Sequence, residues 1–447
     1  MTGDSLSLLS DLIARARAAG ADAADAVLIA GTSLSVQRRL GRTEQIERSE
    51  GRDLGLRVFV GRKAAIVSST TVDPATFAEL AERAVAMARV VPDDPFAGLA
   101  DTAAPPDPAE ALALDMDDGA EPSAEALTER AAIAEDAARA VPGVTNSEGA
   151  EAGFGRTEAV LVTSAGFAGR LSRSSHSVAA TALAGSGTGM QRDYDYHSTV
   201  YMTDLDDPAL IGRRAGERAV RRLNPTRPRT ARLPVIYDPR VAGGLLGHLS
   251  GAINGASVAR GGSFLKDRMG QRIFAPGITV TDDPRRARGA RSRPFDAEGT
   301  PTAVRNIIED GVLTTWLLDS RAARQLGLVS TGHALRGTGG PPSPGATNLF
   351  LAPGALSPAE LMADITEGLY VNELIGMGVN GITGDYSRGA AGFMIRNGQL
   401  AEPVAEITIA GNLIEMFAHL TPASDLRFRH GTDAPTVRVE GLTMAGG

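Results

Sequence analysis

The sequence predicts an α+β fold. An N-terminal α/β part would hold internally repeated meander-helix units, followed by a mainly antiparallel C-terminal β domain with a Gly/Ala-rich helix. Three observations lead there. Apolar spacing switches repeatedly between the helical and the alternating pattern in the first half. Short strings recur in one order: GRTE at 41–44 and 155–158, DP at 73–74 and 207–208, ERAV at 82–85 and 217–220. Beyond residue 230, short β-rich runs alternate with glycine turns. At 447 residues and roughly 150 per domain, two or three domains are expected.

The elements follow in order. Leu6, Leu9, Ile13 and Ala16 recur at helical spacing, and Gly20 ends that helix. From Asp25 to Thr71, short β-rich runs broken at Gly41, Gly51 and Gly61 read as an antiparallel meander. Asp73-Pro74 supplies an N-cap and a first-turn proline for a helix to Val91. Residues 1–91 thus form a first meander-helix unit. Residues 92–122 are an acidic, Pro-rich excursion: no basic residue lies between Arg89 and Arg130, while acids run from Asp93 through Asp107 to Glu121. It reads either as a docking segment or as a solvated loop. In the second unit, 123–229, Ser123 caps a helix to Ala140, β-rich sequence reaches Thr203, and Asp207-Pro208 opens a helix ending at Asn224-Pro225. The C-terminal domain, 230–447, starts with a strand at 234–239 and the Gly/Ala-rich helix from Val241 to Ala259. Asp310-Gly311 and Asn397-Gly398 mark hairpin tips.

Composition narrows the function. Hydrophobic residues make up 43% and charged residues 22%, as in ordinary soluble domains. A formal net charge of −8 and only 4% aromatics argue against a nucleic-acid binder that works by basicity or base stacking. The chain has no cysteine, which excludes disulfides, Cys-ligated zinc and thiol nucleophiles and suits a reducing compartment. The first twenty residues read as an amphipathic helix rather than a signal peptide, and no apolar window approaches membrane-span length. A soluble, cytoplasmic protein is expected.

Chemistry-bearing motifs are sparse. No histidine precedes a glutamate and no two lie three to five residues apart, so no helix pairs two on a metal. Ser263 and Lys266 match S-x-x-K, but the companion S-D-N and K-T-G elements are missing. The glycine-rich runs at 185–189 and 337–340 fit no phosphate-loop pattern and read as turns. The arginine cluster at 285–293 reads as a polar loop, or as a grip on phosphates or an acidic partner. Asp282 with Asp283, and Asp296 with Glu298, are acid pairs without a histidine or metal beside them in sequence.

One long string is more telling. GDYSRGAAGFMIRNGQLAEPVAEITIAGNLIEMF at 384–417 resembles the most distinctive segment of the TldD/PmbA family, which is associated with proteolysis. Residues 245–284, 294–302 and 307–327, the Thr347-Asn348 pair and EGRDLGLRVFVGRKAAIVSST near the N-terminus also resemble that family. The resemblance implies the same two-part fold. The family's TldD-type subunit carries H-E-x-x-x-H on a helix plus a distant cysteine. Aligned on Leu245, Leu246 and Gly251, this chain has Gly247, His248 and Ala252 at those positions, and no cysteine. It therefore resembles the PmbA (TldE) subunit, the metal-free partner in a heterodimeric peptidase. What the resemblance implies is a non-catalytic subunit with no catalytic residue, metal or cofactor of its own. It would pair with an H-E-x-x-x-H subunit that holds the metal, zinc, and act with it on unfolded peptides. Thr347, Asn348, Asp385, Tyr386, Ser387, Arg388, Gly389 and Ala390 would contact peptide or partner, with peptide backbone added to the C-terminal sheet. Neither membrane nor nucleic acid is an expected partner, and self-association stays open. The alternatives are an autonomous Ser–Lys hydrolase and a regulatory protein of the DNA gyrase modulator type.

Overall fold

Helix, three strands, helix is the unit that the N-terminal half uses twice. The first copy comprises α1 (Thr2–Ala18), β1 (Ala23–Arg39), β2 (Arg42–Val60), β3 (Lys63–Ser69) and α2 (Phe77–Val90). A short helix, α3 (Pro108–Ala113), precedes the second copy: α4 (Ala124–Arg139), β4 (Val144–Thr163), β5 (Ala168–Ala184), β6 (Gln191–Thr199) and α5 (Pro208–Arg221). The computed structural model describes residues 2–101 and 108–446, so Asp107 of the acidic excursion lies outside the described residues. The six strands form one antiparallel sheet, ordered β3-β2-β1-β4-β5-β6. The first strand of each copy sits at the centre, with Leu28 opposite Val160.

Two of the three repeated strings mark equivalent places. Asp73 and Asp207 accept the amides of Ala75 and Ala209 and open the way into α2 and α5, and both ERAV strings lie within those helices. The GRTE echo is a coincidence. Its first occurrence enters β2, whereas its second lies inside β4, the counterpart of β1. The expected break at Gly51 is also absent, because Gly51 pairs with Gly31 and β2 continues through it.

Strand alternation sends one face of the sheet to the helices. Leu9, Leu12, Leu54, Leu56 and Phe77 form that core in the first copy, and Ala150, Ala180, Ala182, Ile211 and Ala215 in the second. The acidic excursion straps the N-terminal half to the C-terminal domain. Asp94 pairs with Arg321 at 2.6 Å, Glu110 with Arg285 at 2.8 Å and Asp115 with Arg288 at 2.7 Å. Arg285 and Arg288 of the arginine loop at 285–293 are thus partners of the acidic segment.

The C-terminal domain runs β7 (Ala231–Tyr237), α6 (Pro239–Ala252), α7 (Gly255–Ala259), β8 (Val280–Asp282), β9 (Arg305–Glu309), β10 (Val312–Leu313), α8 (Ser320–Leu326), β11 (Ala334–Leu335), β12 (Ser343–Pro344) and β13 (Leu349–Leu351). It continues with α9 (Pro358–Met362), β14 (Glu367–Ile375), β15 (Asp385–Arg396), β16 (Gln399–Asn412), α10 (Leu413–Ala418), β17 (Leu420–Pro422), β18 (Thr432–Asp433) and β19 (Val437–Ala445). One sheet is ordered β16-β15-β14-β7-β19-β17, and β16 also pairs with β19, so it curls back on itself. A second sheet is ordered β10-β9-β8-β13-β18, and β11 and β12 form a small ribbon. Pairing is antiparallel except between β7 and β14 and between β13 and β18. Both expected hairpin tips are present: Asp310-Gly311 and Asn397-Gly398 have positive φ throughout, as tight hairpin turns require. The helix expected over 241–259 is two helices, because Asn254 turns its side chain onto the amides of Ala256 and Ser257 and starts α7 anew. Among the described residues no helix is long and apolar enough to cross a membrane.

Candidate functional site

α6 carries the positions at which the family resemblance places the metal motif. Asp238 caps it by accepting the Arg240 amide, and Pro239 takes its first turn. Leu245, Leu246, Leu249 and Ala252 face the core. Gly244, Gly247 and Gly251 lie on the other side, and a Cβ at any of them would meet nothing within 4 Å. His248 is half-buried at the margin, its ring edge-on to Tyr386 with centroids 5.9 Å apart. Burial, then the nearby Arg388 guanidinium, pushes the His248 imidazole below its ordinary range, so it is neutral at pH 7. Beneath it, burial raises the phenols of Tyr237 and Tyr386.

These residues do not fit a metal. Gly247 offers no ligand, Ala252 buries a methyl group, and Arg388 adds positive charge beside His248. Among the described residues no three histidine or carboxylate side chains converge as ligands.

The other expected contact residues separate into two groups. Asp385 and Ser387 are exposed and Arg388 and Gly389 half-buried, all in the same strand as Tyr386. The Thr383 hydroxyl, then the Asn412 amide, holds the Asp385 carboxyl below its usual range. Arg388 donates from Nε to the carbonyl of Ile375, at 3.3 Å. Ala390 is only 2% exposed and belongs to the core. Thr347 and Asn348 are also buried and lie in another part of the domain. Thr347 donates its amide (2.7 Å) and its hydroxyl (2.6 Å) to Asp282. Asn348 donates to the carbonyl of Asp283 and to Ser292 Oγ, and accepts from the amide of Arg291. They shape the arginine loop from within.

The Ser–Lys reading does not survive the geometry, and β15 itself offers no free edge. Ser263 is buried, donates from Oγ to the carbonyl of Ala252 at 2.5 Å and accepts from the Leu265 amide. Lys266 is exposed and pairs with Asp267. The segment is a turn rather than a helix, so hydroxyl and amine do not form a dyad. The distinctive β15 strand has neighbours on both sides, β14 and β16, and the 376–384 loop continues the pairing where β14 ends, with the Ser387 amide bonded to the carbonyl of Gly378. It has no edge for an added peptide strand. A long unpaired edge lies elsewhere, along β2: residues 42–53 are all exposed and pair only with β1, because β3 reaches no further than Leu54.

Sequence reasoning also missed the seam between the halves. Asp25 is buried between Arg57 and Arg336, and Arg57 reaches Glu298 at 3.6 Å. Burial would raise the Asp25 carboxyl, but the two arginines hold it below its usual range. Asp296 and Glu298 were visible as an acid pair; Arg57, which reaches Glu298 from the other half of the chain, was not.

The whole chain has relatives. Models of the PmbA/TldA metallopeptidase match it in three parts: domain 1 over residues 24–88, the central domain over 117–223 and the C-terminal domain over 230–446. Metalloprotease PmbA of Escherichia coli O157:H7 is 38% identical over 432 residues, covering 95% of this chain and 92% of its own. The PmbA homologue of Haemophilus influenzae is 32% identical, over 93% of this chain and 90% of its own. A crystal structure from Bacteroides thetaiotaomicron, of a protein described as a candidate modulator of DNA gyrase, superposes with a TM-score of 0.88 at 26% identity, covering 99% of this chain and 98% of that one. TldE of Thermococcus kodakarensis shares the fold, with a TM-score of 0.86 at 20% identity over 98% of this chain and all of that one. From domain matches along its length and from relatives this similar, the chain belongs to the TldD/PmbA metallopeptidase family, and within it to the PmbA (TldE) type.

Proposed function

We propose that this chain is the non-catalytic subunit of a two-chain cytoplasmic metallopeptidase that acts on unfolded peptides. The observation that carries the reading is α6, where Gly247, His248 and Ala252 occupy the places of a metal-binding motif without a ligand set. The metal, zinc by the chemistry of the H-E-x-x-x-H motif, would belong to a TldD-type partner. An apolar patch beside the site supports pairing: Ile375, Met377 and Ile382, in and beside the loop from β14 to β15, are exposed, as contact surfaces often are. An extended peptide would add its backbone at the β2 edge rather than at β15.

The test is co-expression with an H-E-x-x-x-H subunit of the family, followed by size-exclusion chromatography and peptidase assay. A stable complex should bury at least about 1,000 Å² and elute as a two-chain species. Met377→Asp with Ile382→Asp should abolish the complex while leaving this chain's melting temperature unchanged. If the H-E-x-x-x-H subunit works equally well alone, or if this chain purifies with one zinc that His248→Ala removes, the reading is wrong.

A further inference from the structure

The face of the N-terminal sheet turned away from its helices closes over part of the C-terminal domain. Ala26 and Leu28 point to the helices, so Val27 and Ile29 point the other way. There, with Leu161, Leu171 and Phe295, they form the apolar wall of a cavity of about 400 Å³, within the size range of small-ligand sites.

Arginines line the rest. Arg173, from β5, Arg291, Arg293 and Arg336 all reach this cavity. Three are at least partly engaged: Arg173 with the carbonyls of Ala290 and Ser292, Arg291 with Thr432 Oγ1 and Arg336 with Asp25. Arg293 is not. Among the described residues its side chain makes no hydrogen bond and no ion pair; burial destabilises its charge, while Asp296 and Asp282 attract it from further off and Arg291 repels it. Arg336, whose side chain is 1% exposed, also keeps its Nη2 without a partner.

The nearby carboxylates are committed elsewhere. Asp296 accepts the amides of Glu298, Thr300 and Ala334. Burial, then Glu298, pushes it up to about 7, so it supplies only part of a negative charge at neutral pH. Asp282 is taken by His333 and Thr347. Burial and the mutual repulsion of Arg173, Arg293 and Arg291 pull the Arg173 guanidinium down to about 10. Clustered cations without a free carboxylate are costly, and a bound anion would relieve that cost.

We propose that this cavity binds a carboxylate carried on an aliphatic body, and that its source is the C-terminal end of a peptide. Arg293 would take the carboxylate, for which a guanidinium fork is suited, and the apolar wall would take the side chain beside it. The inference deepens the peptide-handling reading above, but it is measured on this chain alone, so its failure leaves the two-chain reading intact.

The experiment is isothermal titration of the full chain with acetyl-Leu-Leu, its C-terminal amide, free leucine and inorganic phosphate. The free acid should bind at least about tenfold more tightly than the amide, as loss of a charge-assisted hydrogen bond predicts. Arg293→Gln should weaken the acid by a similar factor. Ala159→Trp, which fills the cavity from β4, should abolish binding with the melting temperature unchanged. Equal binding of acid and amide, or no binding of either, overturns the site. Phosphate as tight as the peptide acid overturns the aliphatic assignment, and free leucine as tight overturns the peptide source.

Discussion

Five residues before the ERAV string, the first copy of the N-terminal unit has Phe77 and the second has Gly212. Phe77 is fully buried among leucines at the helix–sheet boundary. A Cβ at Gly212 would stand 1.9 Å from the carbonyl oxygen of Ala134, so α4 and α5 touch backbone to backbone. Gly216, one turn on, is also tight: a Cβ there would stand 2.8 Å from the carbonyl oxygen of Ala138 and 2.7 Å from the Val141 side chain. One topology is thus held once by filling space with large side chains and once by removing side chains so that helices close up. Burial pattern specifies the fold, and side-chain volume is free to move between helix and sheet as long as the space is filled.

The largest expected effect tests the first solution. Phe77→Ala should cost about 3–5 kcal/mol, because the leucines around it cannot close the cavity. Urea denaturation should show a loss of that size, and a loss below about 1 kcal/mol would mean that α1 and α2 can draw together as α4 and α5 do. Next comes Gly212→Ala, expected to cost about 1–3 kcal/mol or more by overpacking. The same helix substitution in open space would be stabilising, so a gain would show that α4 and α5 have slack between them.

The copies also differ at the seam with the C-terminal domain. The first reaches across with Asp25 and Arg57 to Arg336 and Glu298, and the second with Asp193 to Arg240 and with Arg222 to Glu373. Beside the first lies Asp296, which titrates at about 7 rather than 3.8. Between those pH values the folded chain holds a proton that the unfolded chain has released. The contribution of Asp296 to stability therefore falls as pH rises from about 4 to 7 and is level above that. Asp296→Asn cannot titrate, so wild type should lose ground to it across that window, as melts at about pH 5 and 8 would register. A pH-independent difference would place the raised carboxyl elsewhere. The smallest effect is expected at Arg192→Ala, which breaks the exposed pair with Glu148 in the second copy and should change stability by less than about 1 kcal/mol.

Much of the architecture was legible in the sequence because its signals are local. Asp73-Pro74, Ser123 and Asp207-Pro208 cap helices as their chemistry demands, and Asp310-Gly311 and Asn397-Gly398 turn hairpins. Local signals also misled. Gly51 reads as a break, yet glycine in a strand interior is only a weak strand former, and pairing carries it through. GRTE matched because arginine-rich sequence repeats short strings readily. The S-x-x-K spacing presupposed a helix that Ser263 prevents by bonding to the end of α6. The cavity and the seam were beyond reach, since they join residues such as Asp25 and Arg336, or Ile29 and Arg293, that nothing local connects.

The strap between the halves makes the molecule responsive to its medium. Asp94, Glu110 and Asp115 reach Arg321, Arg285 and Arg288 through partly exposed pairs, unlike the buried seam at Asp25. Exposed pairs weaken as salt rises and the Debye length shrinks from about 10 Å at 0.1 M to about 3 Å at 1 M, whereas buried pairs are screened much less. Raising ionic strength should therefore loosen the strap before it loosens the seam, and protease cutting within residues 92–122 should quicken while the melting temperature holds. Salt concentration would then set how much these ion pairs add to the buried contacts of Leu114 and Met116 in holding the acidic segment down.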